Sequence, residues 1–217
     1  MSKQIRIDFV SDISCPWCVI GLRSLEQALD RAKDVVGAEI HFQPFELNPA
    51  MAPGGQDIGE HLAQKYGATE EQGAKTRAMI RSRAAELGFD FNMEARSRIY
   101  NTFDAHRLLH WAGPQGREYA LKTALFEAYF TRGENPGDHA VLARVAGEVG
   151  LDRAEAERIL ASDTYAPEVR EREQYYQRAG INSVPAVIIN ERHLISGGQP
   201  PEVFEQALRT IAAQSDQ

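Results

Sequence analysis

The stretch that decides the fold is residues 5–18, which read IRIDFVSDISCPWC. Its first half alternates apolar and polar residues, so Ile5, Ile7 and Phe9 share one side of a predicted half-buried β-strand. Its second half ends in Cys15 and Cys18, after which apolar residues recur at helical spacing. The sequence therefore predicts a strand that leads through a short loop into a helix, with both cysteines at the start of the helix.

Cys15 and Cys18 are the only cysteines of the chain. A CxxC motif between a first strand and a first helix is typical of thioredoxin-like redox sites. The free amides and the positive dipole end of the helix would face Cys15 and favour its thiolate over its thiol. We therefore predict that Cys15 is the nucleophile. Cys18, about one turn further on, is predicted to resolve a mixed disulfide formed on Cys15.

The two residues between the cysteines are expected to border the substrate and to tune the pair. Pro16 limits backbone adjustment on oxidation, and its missing N–H costs least in the first turn of a helix. Trp17 either presents an aromatic face near the sulfur or is a partly exposed surface residue, and the sequence leaves both alternatives open.

Structural roles for the two cysteines fit less well. A structural zinc site needs about four ligands, and the chain has no second cysteine pair and only scattered histidines. A disulfide between Cys15 and Cys18 would close too short a loop to stabilise the fold much. We therefore expect a redox pair and no metal site.

Composition and charge limit the function further. The chain has 217 residues, 43% of them hydrophobic and 25% charged, which is ordinary for a globular protein. Its net charge of -7 argues against nucleic acid as a partner. The first residues lack the apolar region of a secretion signal, and no apolar run is long enough to span a membrane. We therefore expect a cytoplasmic protein.

The two ends of the chain show β-structure. A second strand is predicted over residues 39–47, so residues 1–50 form a strand–helix–strand unit. Two short strands over 185–190 and 193–196 follow late in the chain, joined by a turn at Glu191 and Arg192. A final amphipathic helix is predicted over 202–213.

The middle of the chain is helical. We predict helices over residues 58–66, 70–87, 94–112, 116–131, 138–149, 153–161 and 165–178, with Thr69, Asp152 and either Ser162 or Asp163 as caps. The expected fold class is therefore α/β, a thioredoxin fold with an inserted all-helical lobe. The core comprises residues 1–50 and 164–217, and the inserted lobe comprises residues 51–163.

A proline near the third strand completes the predicted site. In a thioredoxin-like fold, Pro185 would follow a cis peptide bond and face the CxxC motif, leaving the backbone of Val184 to pair with an extended substrate. The alternative is that Pro185 merely begins an edge strand.

Several motifs together resemble the DsbA family, in its FrnE-like branch. They are SDISCPWC at 11–18, FELNP at 45–49, NTFDAHRL at 101–108, FEAYF at 126–130 and VPA at 184–186. The resemblance implies a thioredoxin fold with a helical insertion and thiol–disulfide oxidoreductase activity, with Cys15, Cys18 and Pro185 as active-site residues. The same scaffold occurs in 2-hydroxychromene-2-carboxylate isomerase and the kappa-class glutathione transferases.

Other residues are weaker candidates. Asn101 and His106, with Arg107 nearby, are predicted to line the cleft from a helix of the inserted lobe, and Asp12 or Glu46 is a candidate proton shuttle for Cys18. The arginine pairs at 81/83 and 96/98 are predicted to be solvated. The turn at 197–199 is either a simple turn or a site for a glutathione terminus.

Three functions remain open. The leading one is a dithiol–disulfide oxidoreductase acting on protein or low-molecular-weight thiols and disulfides. The second is a glutathione-dependent isomerase or transferase of small aromatic substrates, which would need only one cysteine. The third is a peptide-binding module without catalysis. No resident cofactor is expected beyond the redox-active pair, with glutathione as a candidate co-substrate.

Overall fold

The computed structural model describes residues 2–214. In chain order its elements are β1 (Lys3–Ser11), α1 (Pro16–Arg31), β2 (Val36–Pro44), β3 (Gln56–Asp57), α2 (Ile58–Tyr66), α3 (Glu70–Glu86), β4 (Arg98–Ile99), α4 (Phe103–Ala112), a 3-10 turn (Gly113–Gln115), α5 (Glu118–Phe126), a π-helical segment (Glu127–Thr131), α6 (His139–Glu148), α7 (Arg153–Leu160), α8 (Ala166–Arg178), β5 (Ala186–Ile189), β6 (His193–Ser196) and α9 (Pro201–Gln214).

The main sheet has the strand order β2-β1-β5-β6. Strand β1 runs parallel to β2, its partner across the α1 crossover, and antiparallel to β5, which forms a hairpin with β6. Residues 190–192 close that hairpin: Asn190 and Glu191 have positive φ angles, and the Arg192 amide donates to the Ile189 carbonyl at 3.1 Å. The α/β class predicted from the sequence is confirmed.

Both faces of β1 are covered. Ile7 and Phe9 pack into the core that contains α1 and α9, which also contact each other. Val10 faces the other side and packs with Tyr176 of α8. The alternation in the sequence therefore marks two buried faces rather than one, because a helix covers each side of the central strand.

The helices of the insertion share the core of the sheet. The ring centroid of Tyr119 on α5 lies 6.0 Å from that of Phe42 on β2. One cluster of buried side chains contains both Ile7 of β1 and Leu142 of α6. The boundaries of the inserted lobe at residues 51 and 163 stay a prediction.

The helix predicted over residues 94–112 is wrong in its first half. Arg98 and Ile99 instead pair with Asp57 and Gln56 as a two-stranded antiparallel ribbon. Asn101 lies ahead of α4, where its side-chain oxygen accepts a hydrogen bond from the Phe103 amide. The helix begins only at Phe103, after this turn.

Two other predictions are also corrected. Strand β2 ends at Pro44 rather than at residue 47, since the Leu47 amide donates to Asp12 instead of to a strand. Ser162 does not cap α8, because its hydroxyl donates to carbonyls at the end of α7. Thr69 and Asp152 cap α3 and α7 as predicted. Among the helices of residues 2–214, none is long and apolar enough to cross a membrane.

Candidate active site

The cysteine pair lies at the amino end of α1. Cys15 is the N-cap residue, Pro16 begins the helix, and the Cys18 amide donates to the Cys15 carbonyl at 3.1 Å. Both thiols are free. Cys15 keeps 4% of its surface exposed and Cys18 none, so a substrate sulfur reaches Cys15 first.

Pro185 stands beside the pair. The Val184–Pro185 peptide bond is cis, and the Cys15 thiol lies 3.7 Å from the Val184 carbonyl oxygen. The Pro185 carbonyl accepts from the Gly197 amide at 2.8 Å. This loop therefore brings the backbone of Val184 to the Cys15 thiol.

A buried carboxylate supports the loop that carries Cys15. Asp12 is 1% exposed and accepts hydrogen bonds from the Ser14 amide, the Ser14 hydroxyl, the Leu47 amide and the Thr102 hydroxyl. Burial alone would raise the pKa of Asp12, but the His106 ring 3.7 Å away and these donors hold that pKa below its usual range. Asp12 therefore joins the loop after β1 to the segment after β2 and to the start of α4.

A lysine lies buried in the same region. Lys122 of α5 is fully buried, and its Nζ atom has no hydrogen-bond partner among the described residues. The ammonium group sits over the rings of Phe42 and Phe126, at 5.5 and 5.0 Å. Burial lowers the pKa of Lys122 to about 8, against the opposing effect of Cys18 and Asp12.

The charge of Lys122 acts on Cys18. Burial, followed by the hydrogen bond and charge of Cys15, raises the pKa of Cys18 well above its usual value, whereas the charge of Lys122 lowers it. Sequence reasoning missed this lysine. The available signal was its position one turn before Phe126, on a helix whose neighbouring residues Leu121 and Leu125 are apolar.

The two candidate proton shuttles differ in their surroundings. Asp12 is held by four donors, as described above. Glu46 is 6% exposed and pairs with Arg170, which also binds Glu173. Arg170 in turn stacks 3.6 Å from the centre of the Phe103 ring. Both oxygens of Asp12 therefore have partners, whereas Glu46 is held through Oε2 and its buried Oε1 atom has no hydrogen-bond partner among the described residues.

Cys15 opens into a cleft of about 740 Å³. Pro16, Trp17 and Val184 line one side of it, and residues of α2 and α3 line the other. Arg83 of α3 stacks over Trp17 at 5.6 Å, so the tryptophan forms part of the cleft wall.

Asn101 and His106, both predicted to line this cleft, are not among the residues that border it. The side-chain amide of Asn101 donates to the Pro49 carbonyl at 3.3 Å. His106 is 3% exposed and faces Asp12, because it lies on the inward side of α4. Arg107 holds the loop between α7 and α8 through the carbonyls of Thr164 and Ile159.

Arg96 is less solvated than predicted, whereas Arg98 of the same pair is exposed. Arg96 lies at the cleft, where it donates to the Ser14 carbonyl at 3.4 Å and stacks on Tyr129 and Phe130. The turn at 197–199 packs against α1, where a side chain on Gly198 would meet the Trp17 carbonyl at 3.0 Å. Its packing against the helix explains this glycine without a ligand.

Residues 6–209 match the DSBA-like thioredoxin domain family. The chain belongs to the DsbA family. The family explains why the CxxC helix and the cis-proline loop meet in one fold, and it confirms the resemblance drawn from the motifs. The uncharacterized protein YwbO of Bacillus subtilis (strain 168) is 31% identical to this chain over 205 residues, covering 94% of this chain and 96% of the relative.

Solved structures agree with this family. A probable DsbA oxidoreductase from Streptomyces coelicolor superposes with a TM-score of 0.88 at 35% identity, covering 97% of this chain and 90% of the other. The cytosolic disulfide reductase DsbM from Pseudomonas aeruginosa, solved with GSH, has a TM-score of 0.65 at 18% identity, covering 94% and 98%. At 18% identity, the similarity to DsbM shows a shared fold alone.

Proposed function

We propose that this DsbA-family member is a dithiol–disulfide oxidoreductase that cycles through Cys15 and Cys18. One observation carries the proposal. The slightly exposed thiol of Cys15 lies at the N-cap position of α1, and the fully buried thiol of Cys18 lies one turn further along the helix. A single-thiol enzyme has no need of the second group in that position.

The cycle begins with the thiolate of Cys15. It attacks one sulfur of a substrate disulfide, the substrate S–S bond breaks, and the first substrate thiolate leaves. Cys18 then loses its proton and attacks the Cys15 sulfur of the mixed disulfide, which releases the second thiolate. The substrate is reduced by two electrons and the protein holds a Cys15–Cys18 disulfide.

A thiol reductant is needed to return the protein to its reduced form. We propose glutathione for this role, since the similar fold of DsbM was solved with GSH. Two glutathione molecules would reduce the Cys15–Cys18 disulfide and leave as glutathione disulfide. The cytosol, where DsbM works by its description, is the proposed compartment.

The test is insulin reduction by the wild type and by single cysteine variants. We expect Cys15→Ser to lose the activity and Cys18→Ser to stall as a mixed disulfide detectable by mass spectrometry. Turnover by Cys15→Ser at the wild-type rate would rule out the proposal. The isomerase alternative predicts that Cys18→Ser keeps full activity on a small aromatic substrate with glutathione.

A further inference from the structure

The charged side chains that line the cleft beside Cys15 are mostly positive, whereas the chain as a whole has a negative net charge. The chain has a net charge of -7, yet three cationic side chains border the cleft, namely Lys65, Arg77 and Arg96. Glu46 is the one carboxylate among the described residues that line it, and Glu46 is already paired with Arg170. Charges of one sign in an apolar cleft concentrate ligands of the opposite sign.

The three cations have no carboxylate partner in the described part of the chain. Lys65 donates to the Leu47 carbonyl and to the Asn48 side-chain oxygen, both at 2.8 Å, and both acceptors are uncharged. Arg96 contacts a carbonyl and two aromatic rings, and its Nε atom has no hydrogen-bond partner. Arg77 forms no ion pair within residues 2–214.

The remainder of the cleft wall is largely apolar. Contributions come from α1, α2, α3 and the ribbon, through Trp17, Leu62, Ile80, Met93 and Ile99. A volume of about 740 Å³ lies within the range of small-molecule sites. The wall therefore suits a compact ligand with an apolar body better than an extended chain.

We propose that the cleft binds low-molecular-weight disulfides that carry a carboxylate, with Arg77 as a specificity residue for that carboxylate. The inference rests on the proposed dithiol cycle and names its substrate class. The Cys15 thiolate attacks one sulfur of the bound disulfide and its S–S bond breaks. The first thiolate leaves at this step, and the second leaves when Cys18 attacks the Cys15 sulfur of the mixed disulfide. The protein loses two electrons, and glutathione returns them in the step proposed above.

The test compares two aromatic disulfides on the fully reduced protein. One is dianionic dithiobis(nitrobenzoate) and the other is neutral dithiodipyridine, and the rate of thiol release is followed by absorbance. The informative quantity is the ratio of the two rates, because it cancels changes in the reactivity of Cys15. We expect Arg77→Gln to lower this ratio by about three- to tenfold, the effect of one charge at short range.

Two variants serve as controls. Arg77→Lys keeps the charge and is expected to hold the ratio within about twofold. Arg81→Gln removes an exposed charge from the same helix, outside the cleft lining, and is expected to leave the ratio unchanged. Added salt should lower the wild-type ratio and change that of Arg77→Gln less.

Glutathione disulfide, used as a third probe, separates two sources of carboxylate. If Arg77→Gln lowers the relative rates of both carboxylate probes, the site accepts anionic disulfides in general. If it lowers only that of the aromatic probe, the site selects apolar anions. An unchanged ratio in Arg77→Gln, or an equal drop in Arg81→Gln, overturns the inference. Failure of both aromatic probes to react with Cys15 would instead count against the dithiol cycle.

Discussion

Gly21 and Pro185 touch so closely that no side chain fits between them, since a Cβ atom on Gly21 would lie 2.9 Å from the Pro185 Cγ atom. Helix propensity alone favours alanine over an interior glycine by about 1 kcal/mol. The rigid proline ring has little room to move, because its loop also meets Cys15 through Val184. We therefore expect Gly21→Ala to destabilise the fold and to slow disulfide reduction.

Gly147 provides the matched control for this glycine. It also lies in a helix, but a Cβ atom there would meet the Arg153 Cβ at an ordinary 3.6 Å. Gly147→Ala should raise the free energy of unfolding by about 0.5 to 1 kcal/mol in urea titrations. A stabilising effect of Gly21→Ala would contradict this prediction, because it would show that the loop carrying Pro185 can move to make room for the added Cβ atom.

Asp12→Asn is expected to cost about 2 to 4 kcal/mol of the free energy of unfolding at pH 7. One carboxylate oxygen accepts from the Ser14 amide and the other from the Leu47 amide. An asparagine NH₂ group would face a backbone donor in either orientation. Thr102→Val, which removes one donor only, should cost less.

The effect of Asp12 also depends on pH. The folded pKa lies below the ordinary 3.8, so the stabilisation is complete above about pH 5 and is lost as the pH falls through the folded pKa. The difference in unfolding free energy between wild type and Asp12→Asn should shrink at acid pH. A constant difference from pH 7 to pH 3 would contradict the assignment.

Lys122→Met is expected to stabilise the protein at pH 7 by roughly 1 to 3 kcal/mol. The pKa of Lys122 falls from 10.5 to about 8 on folding because of burial. The unfolded chain therefore binds more protons between those values, and wild-type stability rises from pH 8 to pH 10.5. Leu125→Met, a buried substitution on the same helix, keeps Lys122 and should show the same rise, whereas Lys122→Met should lack it.

Lys122→Met should also shift the redox couple. The Lys122 charge attracts the thiolate of Cys15, so its loss removes stabilisation from the reduced form. We expect a potential more negative by about 10 to 30 mV in equilibrium with glutathione. A shift to more positive values would contradict the role of the lysine.

Glu118→Gln should flatten the stability profile between pH 4.5 and pH 7. Burial raises the pKa of Glu118 from 4.5 to about 7, so the folded state binds the proton more tightly and wild-type stability declines as the pH rises through that range. At pH 8 the variant should be more stable by about 1 to 2 kcal/mol. Glu127→Gln, an exposed control nearby, should follow the wild-type profile.

Local sequence was sufficient for the part of the site that depends on neighbours in the chain. Residues 5–18 specify a strand, a loop and a helix, and Pro16 fits the first turn of that helix. The family motifs added Pro185, and the loop that carries it meets Cys15 through the Val184 carbonyl.

The remaining features depend on contacts between distant segments. The two-residue strand at Arg98 and Ile99 exists only because residues 56 and 57 pair with it. Lys122 is buried only because α5 packs on Phe42. Arg96 reaches the cleft because it stacks on Tyr129 and Phe130, far along the chain. The helical periodicity of the sequence does not indicate these contacts.

The bond from Thr102 to Asp12 has a consequence for protein engineering. Residue 102 lies inside the predicted insertion, yet its hydroxyl completes the support of the loop that ends at Cys15. A shortened protein that joins residue 50 directly to residue 164 would keep both cysteines and lose this donor, and with it Lys122. The sheet and α1 alone would therefore not reproduce the surroundings of the two cysteines, because Thr102 and Lys122 both lie in the deleted segment.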